Sequence, residues 1–254
     1  MEFSRCARPG PTGHLRRPFD PTRSTDEARM YRNRTEAGRE LAGHLGVWRG
    51  QDALVLALPR GGVVVGYEIA EALDGELDVL IVRKLGAPQN PEFGLGAIAS
   101  HGARYVDERA LRTLNVSPRA LEQIEQRERE ELHRRQTAYR GDLPQPRVQG
   151  RPVILVDDGI ATGGTARAAI RAVRSLQPSA IILAVPVAPP ESVQALAGEV
   201  DEIVCPQTPS PFAAIGQWYT DFGQNCDEEV VELLRKRRAH QTAERGSEAE
   251  GAAE

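Results

Sequence analysis

The chain is short of the residues that staple a fold, ligate a metal or cross a membrane. Its 254 residues include three cysteines, Cys6, Cys205 and Cys226. Their number is odd and they form no C-x-x-C pair, which argues against a disulfide framework. The five histidines make no H-x-x-x-H pair, so the common structural zinc patterns are missing too. No apolar run approaches the roughly 18 residues of a membrane helix. The N-terminal stretch, with Arg5, Arg8, Arg16 and Arg17, has no apolar segment of the secretory kind. The expectation is a cytoplasmic protein without a membrane partner. Lysine is nearly absent: 30 of the 32 bases are arginine, leaving only Lys84 and Lys236. That scarcity singles out Lys84.

Charge is spread unevenly. Residues 1–34 carry eight arginines against four acids, and residues 239–254 one arginine against four acids. The 204 residues between them carry 23 bases and 28 acids, a body of −5 that argues against nucleic acid as a partner. Pro9, Pro11, Pro18 and Pro21 and the lack of apolar period predict a disordered leader over residues 1–26. Residues 239–254 predict a disordered acidic tail, which leaves residues 27–238 as one domain. Nothing in the chain specifies an oligomer, and a homodimer is compatible with it.

Between these ends, strand and helix patterns alternate. Ala28 to Trp48 has helical spacing. Ala53 to Leu58 is a continuous apolar run of strand length, as suits a parallel strand buried on both faces. Helix is expected over Val63 to Leu73, strand over Leu77 to Val82, and a short hairpin or irregular segment over Leu95 to Val106. Ser117 and Pro118 open a long helix reaching Tyr139, whose arginines face glutamates at i,i+4 spacing, as on a solvated helix. Strands at Val153 to Val156, Ala180 to Val187 and Glu202 to Cys205 then alternate with helices at Thr165 to Leu176, Glu191 to Ala197 and Asp227 to Arg238. The fold class is therefore α/β, a doubly wound, mostly parallel sheet, with ligand chemistry expected just after the strands.

The run after Val156 is Asp157-Asp158-Gly159-Ile160-Ala161-Thr162-Gly163-Gly164-Thr165, followed at once by a helix. Gly163 and Gly164 let backbone N–H groups converge. Thr162 and Thr165 add hydroxyls, and the helix adds the positive end of its dipole, which together make a phosphate cradle. The two carboxylates cannot face the same phosphate. They suit polyol hydroxyls or a phosphate-bound divalent cation, so the loop predicts a sugar-phosphate site. A P-loop would need Gly-Lys-Ser/Thr, and a dinucleotide fold G-x-G-x-x-G; neither is present here.

VILVDDGIATGGT resembles the phosphoribosyl-pyrophosphate signature of the type I phosphoribosyltransferase superfamily, and the resemblance covers roughly residues 35–238. It implies that fold with a small hood, here residues 206–223. It also implies that Asp157 and Asp158 bind the ribose hydroxyls, while Ala161, Thr162, Gly163, Gly164 and Thr165 take the 5′-phosphate. Pro59, Arg60, Gly61 and Gly62 fall where such enzymes hold pyrophosphate, although the glycines alone could be a tight turn. Arg83-Lys84 ends the next strand, and Lys84 resembles the residue that meets pyrophosphate as a point charge, the alternative being a solvated strand-end lysine. The implied partners are phosphoribosyl pyrophosphate and a small-molecule acceptor. The implied cofactor is Mg²⁺, held by the substrate and reached by Asp157 or Asp158 at most through water.

Transfer would pass through an oxocarbenium-like state, with negative charge growing on the leaving pyrophosphate. Enzymes of the superfamily acting on hypoxanthine and guanine place Asp before the first Thr of the loop, where this chain has Ala161. The Pro- and Gly-rich segment Gly86 to Gly96 resembles an active-site lid, and its Glu92 is the candidate replacement acid or base. Phe212, Trp218 and Tyr219, with Phe222 nearby, suit either stacking on a flat acceptor or packing the hood on the sheet. The Trp-Tyr-Thr-Asp-Phe ending is similar to that of uncharacterised bacterial members. The expected function is Mg²⁺-dependent phosphoribosyl transfer, most simply to a nucleobase. The alternative is a catalytically silent regulator that binds phosphoribosyl pyrophosphate.

Overall fold

The computed structural model describes residues 29–88, 90–141 and 145–251, with the side chains of residues 90–93 and 243–251 excepted. Residues 1–26, the expected leader, lie outside the described residues. Five parallel strands form the central sheet: β1 (Leu54–Ala57), β2 (Glu76–Val79), β6 (Pro152–Val156), β7 (Ala180–Ala184) and β8 (Glu202–Val204), in the order β2-β1-β6-β7-β8. Alternate residues serve opposite layers. Val55, Ala57, Ile154, Val156, Ile182 and Ala184 face a core shared with α1 (Arg34–His44), α2 (Gly61–Leu73) and α7 (Asp227–Gly251). Leu54, Leu56, Val153, Leu155, Ile181 and Leu183 face the other core, closed by α5 (Gly164–Arg174) and α6 (Pro190–Leu196). Because both faces are covered, the inner strands β1, β6 and β7 are apolar at every position rather than at every second one. Each fully buried Leu or Ile contributes about 1.5–3 kcal/mol to holding the layers together.

The connections place the site. From β1 the chain crosses through α2 to β2 on one side, and it returns later to β6 on the other side of β1. The order of winding reverses between β1 and β6, and the crevice outside the carboxyl ends of those two strands is where an open α/β sheet takes a ligand. The Leu58 N–H donates to the Val156 carbonyl at 2.8 Å, so the turns leaving β1 and β6 start side by side.

The expected strand from Leu77 to Val82 is two strands. β2 stops at Val79, and β3 (Val82–Ala87) begins a separate antiparallel sheet with β4 (Asn90–Ala99) and β5 (Arg104–Val106). Leu85, Leu95 and Ile98 pack this sheet against Ala110 and Ile124. Those two residues belong to α3 (Glu108–Thr113) and α4 (Pro118–Arg140). The short helix α3 was not expected; the Asp107 carboxylate caps it, accepting from the N–H groups of Arg109 and Ala110. Helix α4 opens as expected, with Ser117 accepting from the Ala120 N–H. Its glutamates do more than pair with their own helix, since Glu125 also binds Arg104 and Glu128 binds Arg83, fastening the second sheet to α4. Helix α7 continues to Gly251, past the expected stop at Arg238. Ala and Glu in that stretch are strong helix formers, and their propensity outweighs Gly246 and the terminal Gly251.

Candidate active site

The loop after β6 is held from below and exposed where it enters α5. Asp157 Oδ1 accepts the Asp158 N–H at 2.9 Å, the Ile160 N–H donates to the Val187 carbonyl at 3.0 Å, and the Ser192 hydroxyl donates to the Ala161 carbonyl at 2.6 Å. Gly163 enters α5 at φ +75°, and a Cβ there would lie 3.2 Å from Leu196 Cδ1, so both backbone and space call for glycine. No side chain caps α5. Thr162, Gly164 and Thr165 are exposed around its first N–H groups. An uncapped helix start flanked by two hydroxyl side chains is suited to an anion.

The turn after β1 touches the acids. A Cβ on Gly61 would stand 2.0 Å from Asp158 Oδ2, and one on Gly62 would stand 2.9 Å from Asp157 Cα and from the Val156 carbonyl. The paired glycines are therefore what allows α2 to start against the acidic pair. The peptide between Pro59 and Arg60 is cis. Arg60 donates through Nη1 to the Asn225 carbonyl at 3.0 Å, and its Nε lies 3.7 Å from the Asp227 carboxylate.

A cap covers the acids. Arg34, on the first turn of α1, places Nε 2.7 Å from Asp158 Oδ2 and donates through Nη1 to the Gly223 carbonyl at 2.8 Å. Its guanidinium lies 4.0 Å from the centre of the Phe222 ring. Tyr219 donates its hydroxyl to the Asp158 carbonyl at 2.6 Å. Tyr31 joins from the N-terminal side: its N–H donates to the Trp218 carbonyl and its carbonyl accepts from Thr220, both at 2.8 Å. Burial and the neighbouring Asp158 charge push the Asp157 carboxyl well above the ordinary carboxylate range, and Arg34 works against that shift. The Tyr219 hydroxyl is likewise raised, chiefly by burial, and stays a donor.

The structure thus brings Pro59 to Gly62 and Asp157 to Thr165 to the same edge of the sheet. Lys84 is placed differently from expectation. It does not end a strand of the parallel sheet; it is an exposed residue of β3, opposite Ala97, on the hairpin that grows from the carboxyl end of β2. Glu92 is in β4, and its side chain lies outside the described residues. The expected lid, Gly86 to Gly96, belongs to this same hairpin, with register shifts around Gly86. Tyr219 is only 3% exposed and packs against Tyr31 and Phe222, so for this residue the hood-packing alternative fits. Phe212 stacks on Trp218, both partly buried against the same cluster. Arg34 and Tyr31 went unnoticed in the sequence. One arginine among 30 carries no signal, and their partners lie across the chain.

Among the described residues no group of three or more His, Cys, Asp or Glu is arranged to hold a metal ion. Asp157 and Asp158 form a donor set of two carboxylates, already engaged in part by a backbone N–H and by Arg34. Such a set fits a cation carried in by ligand phosphates and touched through water, rather than a protein cage. No helix among the described residues is long and apolar enough to cross a membrane.

Residues 32–217 match the family model described as the phosphoribosyl transferase domain, and the chain belongs to that family. Two proteins of Mycobacterium tuberculosis, from strains CDC 1551 and H37Rv and provisionally named phosphoribosyl transferases, are each 42% identical over 212 residues. The match takes in 84% of this chain and 47% of theirs, so this chain spans about half the length of those relatives. The crystal structure of TT1426 from Thermus thermophilus superposes with a TM-score of 0.74 at 44% identity, covering 81% of this chain and 97% of that one.

Proposed function

We propose that the chain transfers the 5-phosphoribosyl group of phosphoribosyl pyrophosphate to a small-molecule acceptor, most simply a nucleobase nitrogen, releasing pyrophosphate. The observation that carries this reading is the union of two sites on one crevice: an acid pair for the ribose diol and an open helix start for the 5′-phosphate, both within residues 157–165 and continuous with β6.

In this reading the N–H groups opening α5 and the hydroxyls of Thr162 and Thr165 take the 5′-phosphate, while Asp157 and Asp158 accept from the ribose hydroxyls. The Gly61–Gly62 backbone, Arg60 and Lys84 meet pyrophosphate. The bond from C1 to the pyrophosphate oxygen lengthens before the acceptor closes on C1, so positive charge develops on the sugar beside Asp158 and negative charge on the leaving group. Bound Mg²⁺, carried by the phosphate oxygens with Asp157 or Asp158 reaching it through water, would supply further neutralisation of the leaving group. Ala161 places no acid against the acceptor, which favours a base other than a 6-oxopurine.

The test is a panel of purine, pyrimidine and nicotinate acceptors with phosphoribosyl pyrophosphate and Mg²⁺, followed by pyrophosphate release. Release that depends on one acceptor supports the reading. Binding of phosphoribosyl pyrophosphate without release for any acceptor would favour a regulator over an enzyme.

A further inference from the structure

Arg34 comes from α1, outside the turns after β1 and β6, and yet it is anchored on the acid pair. Asn33 caps α1 by accepting the Glu36 N–H, and that cap sets where the first turn points Arg34. Three contacts then fix the guanidinium: Asp158 Oδ2 at 2.7 Å, the Gly223 carbonyl at 2.8 Å and the face of Phe222 at 4.0 Å. The Arg34 and Asp158 side chains are 11% and 13% exposed. A pair this sheltered loses hydration on forming, and it persists only when geometry and further hydrogen bonds compensate. Here they do, since the Gly223 carbonyl accepts from Arg34 Nη1 at 2.8 Å; Tyr219 in turn holds the backbone of the same Asp158.

The pairing uses one oxygen of the carboxylate. A carboxylate offers about four acceptor positions, so the second oxygen keeps capacity for a hydroxyl. Directly beneath lies Gly61, whose missing Cβ would collide with both partners. Arg34, Asp158 and the turn after β1 therefore form one stack in which the carboxylate has little freedom to rotate.

We propose that Arg34 is a positioning residue for the ribose: it fixes the Asp158 carboxylate over the Gly61 backbone and, through Phe222 and Gly223, ties the cap to the ribose subsite. The inference rests on Asp157 and Asp158 being the ribose-diol acids. It assigns Arg34 a role through Asp158 and none at the 5′-phosphate, because its anchors are the acid pair and the cap. The rival is a latch that occupies Asp158 and must be displaced by substrate, and the two predict opposite signs.

The full chain and its Arg34→Met, Arg34→Lys and Phe222→Leu variants would be titrated calorimetrically with ribose 5-phosphate and, separately, with inorganic phosphate. Losing a charge-assisted hydrogen bond to the positioned acid should weaken ribose 5-phosphate binding about tenfold in Arg34→Met and leave phosphate binding unchanged. Arg34→Lys should restore part of the loss, since an ammonium pairs with Asp158 but cannot also stack and reach Gly223. Phe222→Leu, at a half-exposed position and expected to fold, should shift affinity in the same direction by a smaller factor. If Arg34→Met does not fold, Phe222→Leu and Arg34→Lys carry the test. Unchanged or tighter ribose 5-phosphate binding in the variants would overturn the proposal. A parent chain that binds neither ribose 5-phosphate nor phosphoribosyl pyrophosphate would instead overturn the reading of the site beneath it.

Discussion

Gly61 lies so close beneath Asp158 that a Cβ at residue 61 would stand 2.0 Å from the carboxylate Oδ2 and 2.7 Å from Arg34 Nε. The carboxylate cannot simply swing away, because Arg34 Nε holds the same oxygen at 2.7 Å. Gly61→Ala should therefore break the stack, with a stability loss of about 1–3 kcal/mol from overpacking. Binding of phosphoribosyl pyrophosphate should fall with it. Chemical denaturation and calorimetry on the same preparation check both, and an Ala variant that binds normally would show that the stack has no part in the site.

Asp157 predicts a pH dependence. Its folded carboxyl holds its proton longer than the unfolded one, so between the ordinary value of about 3.9 and the raised folded value the folded state binds more protons. Through that window stability falls as pH rises. The contribution is fully present below the ordinary value and lost above the folded one. Asp157→Asn cannot ionise and should gain stability relative to the parent as pH increases above about 4. Unfolding curves of the two proteins across that range measure the difference, and a constant offset would mean that Asp157 ionises normally.

Positioning and phosphate capture should separate by mutation. Asp158→Asn keeps the shape but removes a charged acceptor beside the developing positive charge, so turnover should drop by more than about tenfold. Thr165→Val removes a hydroxyl that serves the phosphate equally in ground and transition states, so KM should rise with kcat little changed. Steady-state kinetics on the acceptor identified by the panel give both numbers. Normal turnover by Asp158→Asn would count against the assignment.

Lys84 tests whether the second sheet contributes to the chemistry. Gly94, across the hairpin, leaves the space into which the Lys84 stem fits, with a Cβ there only 3.2 Å from Lys84 Cε. If Lys84 meets charge that increases as pyrophosphate leaves, Lys84→Met should lower kcat more than affinity, and Arg should rescue it poorly. Affinity loss with unchanged turnover would make Lys84 a binding residue without a transition-state role.

Much of the fold was legible because local signals agreed with tertiary structure. The unbroken apolar runs at Leu54 and Val153 announced strands covered on both faces, and Ser117-Pro118 announced the start of α4. The loop from Asp157 to Thr165 was legible because strand, acids, glycines and helix start are contiguous. What stayed hidden depends on contacts far apart in the chain. The break after Val79 falls in a stretch that stays apolar through Leu80 and Ile81, both fully buried, so no turn residue marks the change of sheet. Arg34 meets Asp158 across 124 positions. Whether Tyr219 stacks on a ligand or packs a hood could not follow from composition; its position against Tyr31 follows only once the cap is assembled.

The most direct test of the central claim is the thermal unfolding of the full chain with phosphoribosyl pyrophosphate and Mg²⁺. Ligand at about a hundred times its dissociation constant should stabilise the folded state by about 2.7 kcal/mol, seen as a rise in Tm, with ribose 5-phosphate giving less at the same concentration. An unfolding curve that does not move at millimolar phosphoribosyl pyrophosphate would contradict the account.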